Sequence, residues 1–239
     1  KPQRKRRRPE GKVMVEKTVS TTDPDAGMMH RPGKPEGMHY LSHQSIDAAN
    51  GMIVDVAVTP GDVSDSVPYL ERIDYMRNHL GLDIRTAGAD SAYGTSLICQ
   101  TMEDMGVTFY TPGVSGGTTS KVELTREAFD YDAETERAAP KDCISCQIAS
   151  QCVSSSHRSR TIRVNIFEKA VQRHRQTEGT PAHTHILNLR QIWCEGSFAA
   201  QKARHNLRKL YRRGLEAAED HCLLSATAFN LKRMIKCLE

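Results

Sequence analysis

Two carboxylates stand where a protein could put them to use. Asp90 lies where a strand-forming run, residues 83–89, gives way to the tight turn Ser-Ala-Tyr-Gly, and the carboxyl ends of strands are common places for a site. An aspartate in that position is also the ordinary choice for a turn or a cap. Glu195 lies early in a helical pattern, RQIWCEGSFAAQK, with Lys202 seven residues on. Seven residues are nearly two α-helical turns, so Glu195 and Lys202 share a face with Gln191 and Ala199 beside them. A solvated Glu and Lys on a helix would look the same. A third candidate is Cys143-x2-Cys146-x5-Cys152, which His157 could complete as a Cys3His zinc set with tetrahedral ligation. The alternative there is reduced thiols in a loop. Cys99, Cys194, Cys222 and Cys237 fall in helical patterns and read as core. The sole tryptophan, Trp193, reads as a packing residue, or as a ring able to stack on a flipped base.

The elements that must position these residues follow from periodicity. Residues 1–38, rich in Lys, Arg, Pro, Gly and Thr, read as a basic tail and loop. Residues 39–112 read as the first part of an α/β core. A strand near 40–48, a turn at Asn50-Gly51 and a strand at 53–59 form a hairpin, with Val54, Val56 and Val58 alternating against Asp55. Asp65 or Ser66 can cap a helix with Pro68 in its first turn, buried along Leu70, Ile73, Met76 and Leu80, before Gly81 stops it. A strand at 83–89, a helix near 95–105 and a strand at 107–111 complete the run. One sheet is expected, with 83–89 inside, the hairpin to one side and 107–111 to the other. Residues 113–186 are a polar, cysteine-containing insertion. Residues 187–239 are helical, with Ile192, Phe198 and Ala199 apolar at helical spacing and a last helix near 217–238 carrying Leu223, Leu224, Ala228, Leu231 and Ile235.

Composition narrows the classes of function. The 239 residues are 38% hydrophobic and 26% charged, enough for a real core. No stretch approaches the roughly 18 apolar residues of a membrane helix, and no apolar segment follows the basic N-terminus as in a secretory signal. A cytoplasmic location without membrane partners is expected. The net charge is only +4, but the cations are clumped. Residues 1–8 hold six basic side chains, and residues 202–213 hold Lys202, Arg204, Arg208, Lys209, Arg212 and Arg213, both runs without an acid. Clumped cations point to a polyanion, DNA first. Seven cysteines, an odd number, argue against a disulfide framework.

Five blocks carry a family resemblance: STTDPDAG at 20–27, VDVAVTPGDVSDS at 54–66, ADSAYGTSLIC at 89–99, CISCQIASQC at 143–152 and RQIWCEGSFAAQKARHNLRKLYRRGL at 190–215. In order and spacing they resemble successive parts of the DDE transposases of bacterial insertion sequences. The resemblance implies a ribonuclease-H-like mixed sheet flanked by helices, in which two aspartates and a glutamate hold two Mg²⁺ or Mn²⁺ ions. It implies that Asp90 is the second aspartate and Glu195 the glutamate, and that Lys202 contacts terminal DNA. Arg190 and the cations of 202–213 are the expected DNA-binding side chains, and double-stranded DNA, as transposon ends and target, is the expected partner. A homo-oligomer on DNA and association with the nucleoid go with it. The first aspartate of the family lies on an opening strand upstream of STTDPDAG, before residue 1, so Asp23 and Asp25 are not assigned to the triad. The expectation is a C-terminal part that binds DNA but does not cut it. The alternatives are a catalytically dead DNA-binding remnant and a non-enzymatic interaction domain.

Overall fold

A computed structural model describes residues 18–31, 33, 35–113, 147 and 166–238. They form a mixed α/β protein in two compact units, one built from the described residues up to Leu82 and from Asn188 onward, the other from Asp83 to Leu187.

The first unit is built on an antiparallel sheet in the order β1 (Gly27–Met29), β2 (Gly37–Ile46), β3 (Ile53–Pro60). The Asn50-Gly51 turn joins β2 to β3 as the sequence predicts. Asp47 accepts at its carbonyl from the Gly51 N–H, at 2.9 Å, and at its carboxylate from the Asn50 N–H, at 2.8 Å. Gly51 takes φ +66°, which its missing side chain allows. Register runs from Tyr40 opposite Pro60 to Ser45 opposite Asp55, with an irregularity between Ser45 and Ile46.

The alternation of β3 misleads about Asp55, which is buried rather than solvent-facing. Helix α1 (Tyr69–Asn78) covers that face of the strand, and Arg72 grips Asp55 with both ends of its guanidinium, Nε reaching Oδ2 at 2.9 Å. The Asp55 hydrogen bond raises the Arg72 pKa. A buried carboxylate needs such a partner, because an unpaired one costs several kcal/mol. Within α1, Ile73 and Met76 are buried as expected, but the helix ends at Asn78, and Leu80, beyond it, is exposed. Neither Asp65 nor Ser66 caps the helix: Pro68 is itself the N-cap position, without a side-chain bond. The Asp65 carboxylate is taken by Arg31 at 2.7 and 3.1 Å, and the Ser66 hydroxyl meets that of Ser64.

The second unit contains β4 (Thr86–Gly88) and β5 (Thr108–Tyr110), paired in parallel, with a 3-10 turn (Ser91–Tyr93) and α2 (Ser96–Asp104) between them. Thr95 caps α2 by accepting from the Ile98 N–H. The face formed by Ile98, Cys99 and Met102 is buried. Helix α3 (Glu168–Gln176) packs on α2, and Arg173 forks onto Glu103 at 2.9 and 2.6 Å. The single sheet expected from sequence is therefore two ladders among the described residues. The strands at 86–88 and 108–110 are three residues long and pair with each other, not with the hairpin.

Helix α4 (Pro181–Arg190) runs into a π turn (Gln191–Glu195) and then α5 (Gly196–Arg204), and α6 (Leu215–Leu238) closes the chain. The inward face of α6 is not its leucine stripe. Ala217, Ala218, Cys222, Ser225 and Ala226 are buried, while Leu223, Leu224, Leu231 and Ile235 are exposed. Small side chains let the helix lie close to β3, where Cys222 and Ala226 meet Ile53 and Val56. On α5 the buried positions are Ser197 and Gln201, not the expected apolar set: Ile192 and Ala199 are exposed. Cys99 and Cys222 are buried, Cys194 is half-buried and Cys237 is exposed at the end of α6, against its expected place in the core.

Candidate functional site

Asp90 lies two residues beyond β4, after buried Ala89, whose N–H donates to the Tyr110 carbonyl at 2.9 Å and so extends the parallel ladder. Its exposed carboxylate accepts from the Ser91 N–H at 2.7 Å and thereby caps the 3-10 turn. The cap and a position at a strand end coexist here. The cap orients the side chain by a short local bond.

Glu195 belongs to the other unit and is the last residue of the π turn. An α-helix would set Arg190 and Glu195, five residues apart, on different faces. A π turn closes on i→i+5 and brings such a pair together, and here Arg190 Nη1 lies 3.8 Å from Glu195 Oε1. The Glu195 side chain is 62% exposed, and that of Arg190 only 22%. Lys202, on α5, is exposed and holds its ammonium 5.7 Å above the Phe198 ring.

Two latches fix this segment. Upstream, Trp193 donates from Nε1 to the Ala48 carbonyl at 3.0 Å, and the Arg233 guanidinium stacks on its indole at 4.5 Å and on Phe229 at 4.8 Å. Arg233 in turn donates to the Asn50 carbonyl at 3.2 Å. Trp193 is thus a packing residue that ties the π turn to the β2–β3 turn. Downstream, Gln201 and Gln44 exchange amide hydrogen bonds of 2.9 and 3.1 Å, and Ser225 donates to the Gln201 oxygen at 2.9 Å. Gln201 is fully buried, so these partners replace the water it gives up.

The packing reading of Trp193 anticipates the first latch, whereas hydrophobic periodicity carries no signal for the polar pair Gln44 and Gln201. Asp23 and Asp25 have structural work: Asp23 accepts from the Tyr40 hydroxyl at 2.8 Å and the Gly214 N–H at 3.2 Å, and Asp25 from the Leu215 N–H at 3.1 Å. Both carboxylates thus sit at the N-terminus of α6, where helix amides and the dipole favour negative charge.

The cations Arg204, Arg208, Lys209, Arg212 and Arg213 are all exposed along the end of α5 and the loop that follows. Arg212 reaches Asp220 at 3.3 Å. The basic run 1–8 and the candidate zinc ligands Cys143, Cys146, Cys152 and His157 lie outside the described residues. Among the described residues, no group of three or more His, Cys, Asp or Glu is placed to hold a metal ion. Asp90 and Glu195 themselves offer exposed carboxylate oxygens, the hard donors that Mg²⁺ and Mn²⁺ take. No described helix is long and apolar enough to cross a membrane.

The family model for the transposase DDE domain matches residues 116–235, half of the chain, a stretch that holds Glu195, Lys202 and the basic loop. The chain belongs to the transposase DDE domain family. Asp90 lies outside the matched stretch. No curated protein and no solved structure matches the chain.

Proposed function

We propose that this chain serves DNA transposition by metal-dependent cleavage and joining of DNA strands on a ribonuclease-H-like core, with Asp90 and Glu195 as carboxylate ligands of two divalent ions. The observation that carries the reading is the family match over the stretch in which Glu195 stands exposed on a doubly latched π turn. The order of elements supports the fold: an antiparallel hairpin, a helix, then two parallel strands joined through a second helix.

A pair of Mg²⁺ or Mn²⁺ ions, when bound, neutralises charge on the attacking and leaving oxygens and lowers the pKa of the attacking water or 3′-hydroxyl. The chain's own residues do the rest. Asp90 is held by the Ser91 amide, and Glu195 stands on a turn whose backbone is latched through Trp193, so the reach of both carboxylates is limited before DNA arrives. Arg190 places a cation beside Glu195, near where a scissile phosphate would lie. Lys202 and the cations of the following loop neutralise flanking phosphates and hold the DNA in register.

The test incubates the full chain with labelled duplex DNA and supercoiled plasmid in Mg²⁺ or Mn²⁺. Metal-dependent cutting that is lost in both Asp90→Asn and Glu195→Gln supports the reading. Cutting that survives either substitution contradicts the site. Cutting by this chain would overturn the expectation of a protein that binds DNA without cutting it. Salt-dependent binding with no cutting by the wild type agrees with that expectation and leaves a DNA-binding role in place of cleavage.

A further inference from the structure

The loop between α5 and α6 carries an aromatic ring where its charge alone would suffice to hold phosphates. Tyr211 is 73% exposed and follows Arg208 and Lys209 and precedes Arg212 and Arg213, all four exposed. The loop is not a loose tether, for it is pinned at both ends. Leu207 packs against the core cluster of Ile53, Val56, Cys222 and Ala226, with its N–H directed at the Gln201 carbonyl. At the far end the Gly214 and Leu215 amides are held by Asp23 and Asp25. Between these pins Asn206 takes φ +53°, a conformation asparagine tolerates, and its carbonyl accepts from the Lys209 N–H at 3.1 Å. Its side-chain amide meets the Tyr211 hydroxyl, which anchors the tip of the ring and leaves most of the side chain in solvent.

A fixed, exposed ring among cations is the arrangement that binds nucleic acid with bases available for stacking. Cations follow the backbone, and a π-face accepts any base that leaves its own stack. The interior bases of an intact duplex are not available to such a ring, because each is already stacked and paired. We propose that Tyr211 is a stacking platform for an unpaired base, so that this loop favours DNA with frayed or single-stranded ends over uninterrupted duplex. This rests on the reading of the basic loop as a DNA-binding surface.

The test is a fluorescence-anisotropy titration of the full chain at two salt concentrations. The probes are a blunt duplex, the same duplex with a few unpaired nucleotides at one end, and the single strand. The variants are Tyr211→Ala, Tyr211→Phe and the double variant Arg208→Ala/Lys209→Ala. Tyr211→Ala is expected to weaken binding to the two probes with unpaired bases by roughly 5- to 150-fold, the range for loss of one base–aromatic stack, and to leave the blunt duplex within about 2-fold. Tyr211→Phe keeps the π-face and should keep the preference. The double variant should weaken all three probes and flatten the salt dependence. The stacking role is overturned if Tyr211→Ala affects all probes alike or none, or if Tyr211→Phe behaves as Tyr211→Ala, which would reduce the ring to its contact with Asn206. In those cases the double variant still weakens binding and the DNA reading stands. A wild type that binds none of the probes in a salt-dependent way overturns the DNA reading itself and the stacking role with it.

Discussion

Replacing Gly51 with alanine asks whether the β2–β3 turn holds the Glu195 segment in place. Gly51 has φ +66°, and a Cβ there would lie 2.5 Å from Cε3 and 2.8 Å from Cδ2 of Trp193, and 2.4 Å from Nη1 of Arg233. Left-handed backbone costs a residue with a side chain about 1–2 kcal/mol. The arginine tip can swing aside, but the indole is held by its bond to Ala48 and by the stacked guanidinium. Displacing it forfeits about 0.5–1.5 kcal/mol for the hydrogen bond and about 0.5–1 kcal/mol for the cation–π contact. The expected loss is therefore about 2–4.5 kcal/mol. Gly81 supplies the control, with φ +67° and nothing within 4 Å of an added Cβ. Gly81→Ala carries the backbone cost alone, and any gain from a stiffer unfolded chain is common to both variants. Denaturant unfolding followed by the emission of the sole tryptophan measures the difference. Gly51→Ala should lose about 1–2.5 kcal/mol more than Gly81→Ala, with native emission shifted to the red as the indole meets water. Equal losses with unchanged emission would refute the latch.

Three further outcomes follow from the same packing. Burial, and after it the hydrogen bond to Asp23, holds the Tyr40 hydroxyl protonated well above the usual tyrosine range. The folded chain thus keeps a proton that the unfolded chain gives up near pH 10. Stability should fall as pH rises above about 10, and circular dichroism should show a shallower fall in Tyr40→Phe. Asp25→Ala removes the acceptor of the Leu215 amide at the start of α6 and should cost about 0.5–2 kcal/mol in denaturant unfolding, while Asp25→Asn should retain most of it. Gln201→Leu strands the Gln44 amide in a half-buried setting and removes an acceptor from Ser225. It should cost about 2–4 kcal/mol, measured the same way, despite adding apolar surface.

The hairpin was legible because Asn50-Gly51 names its own turn chemistry. Helix α1 was legible where Ile73 and Met76 fall one turn apart and Gly81 supplies the stop. Asp90 was found at a strand end because local turn signals suffice to place it. What failed has a common cause, partners far away in the chain. Asp55 reads as outward-facing until Arg72, 17 residues on, is known to grip it. Gln201, being polar, gives no signal of burial in the sequence, and only Gln44, 157 residues away, satisfies it. The π turn differs from an α-helix in the reach of its hydrogen bonds, and hydrophobic spacing over five residues does not register that difference. Helix α6 was assigned its face by hydrophobicity, whereas the close approach to β3 selects for small side chains. The short strands at 86–88 and 108–110 show that an alternating pattern fixes a strand's existence without fixing its neighbour.

The central claim, that Asp90 and Glu195 serve the same divalent-ion site, is tested most directly by letting Fe²⁺ take the place of Mg²⁺ on the full chain. With ascorbate and peroxide, bound iron generates radicals that cut the backbone close to the ion, and the cuts can be mapped by mass spectrometry. The account predicts cuts clustered at residue 90 and at residue 195, suppressed by excess Mg²⁺, with both clusters lost in Asp90→Asn and both lost in Glu195→Gln. Cuts near neither residue, or cuts at one that persist when the other is substituted, would contradict it.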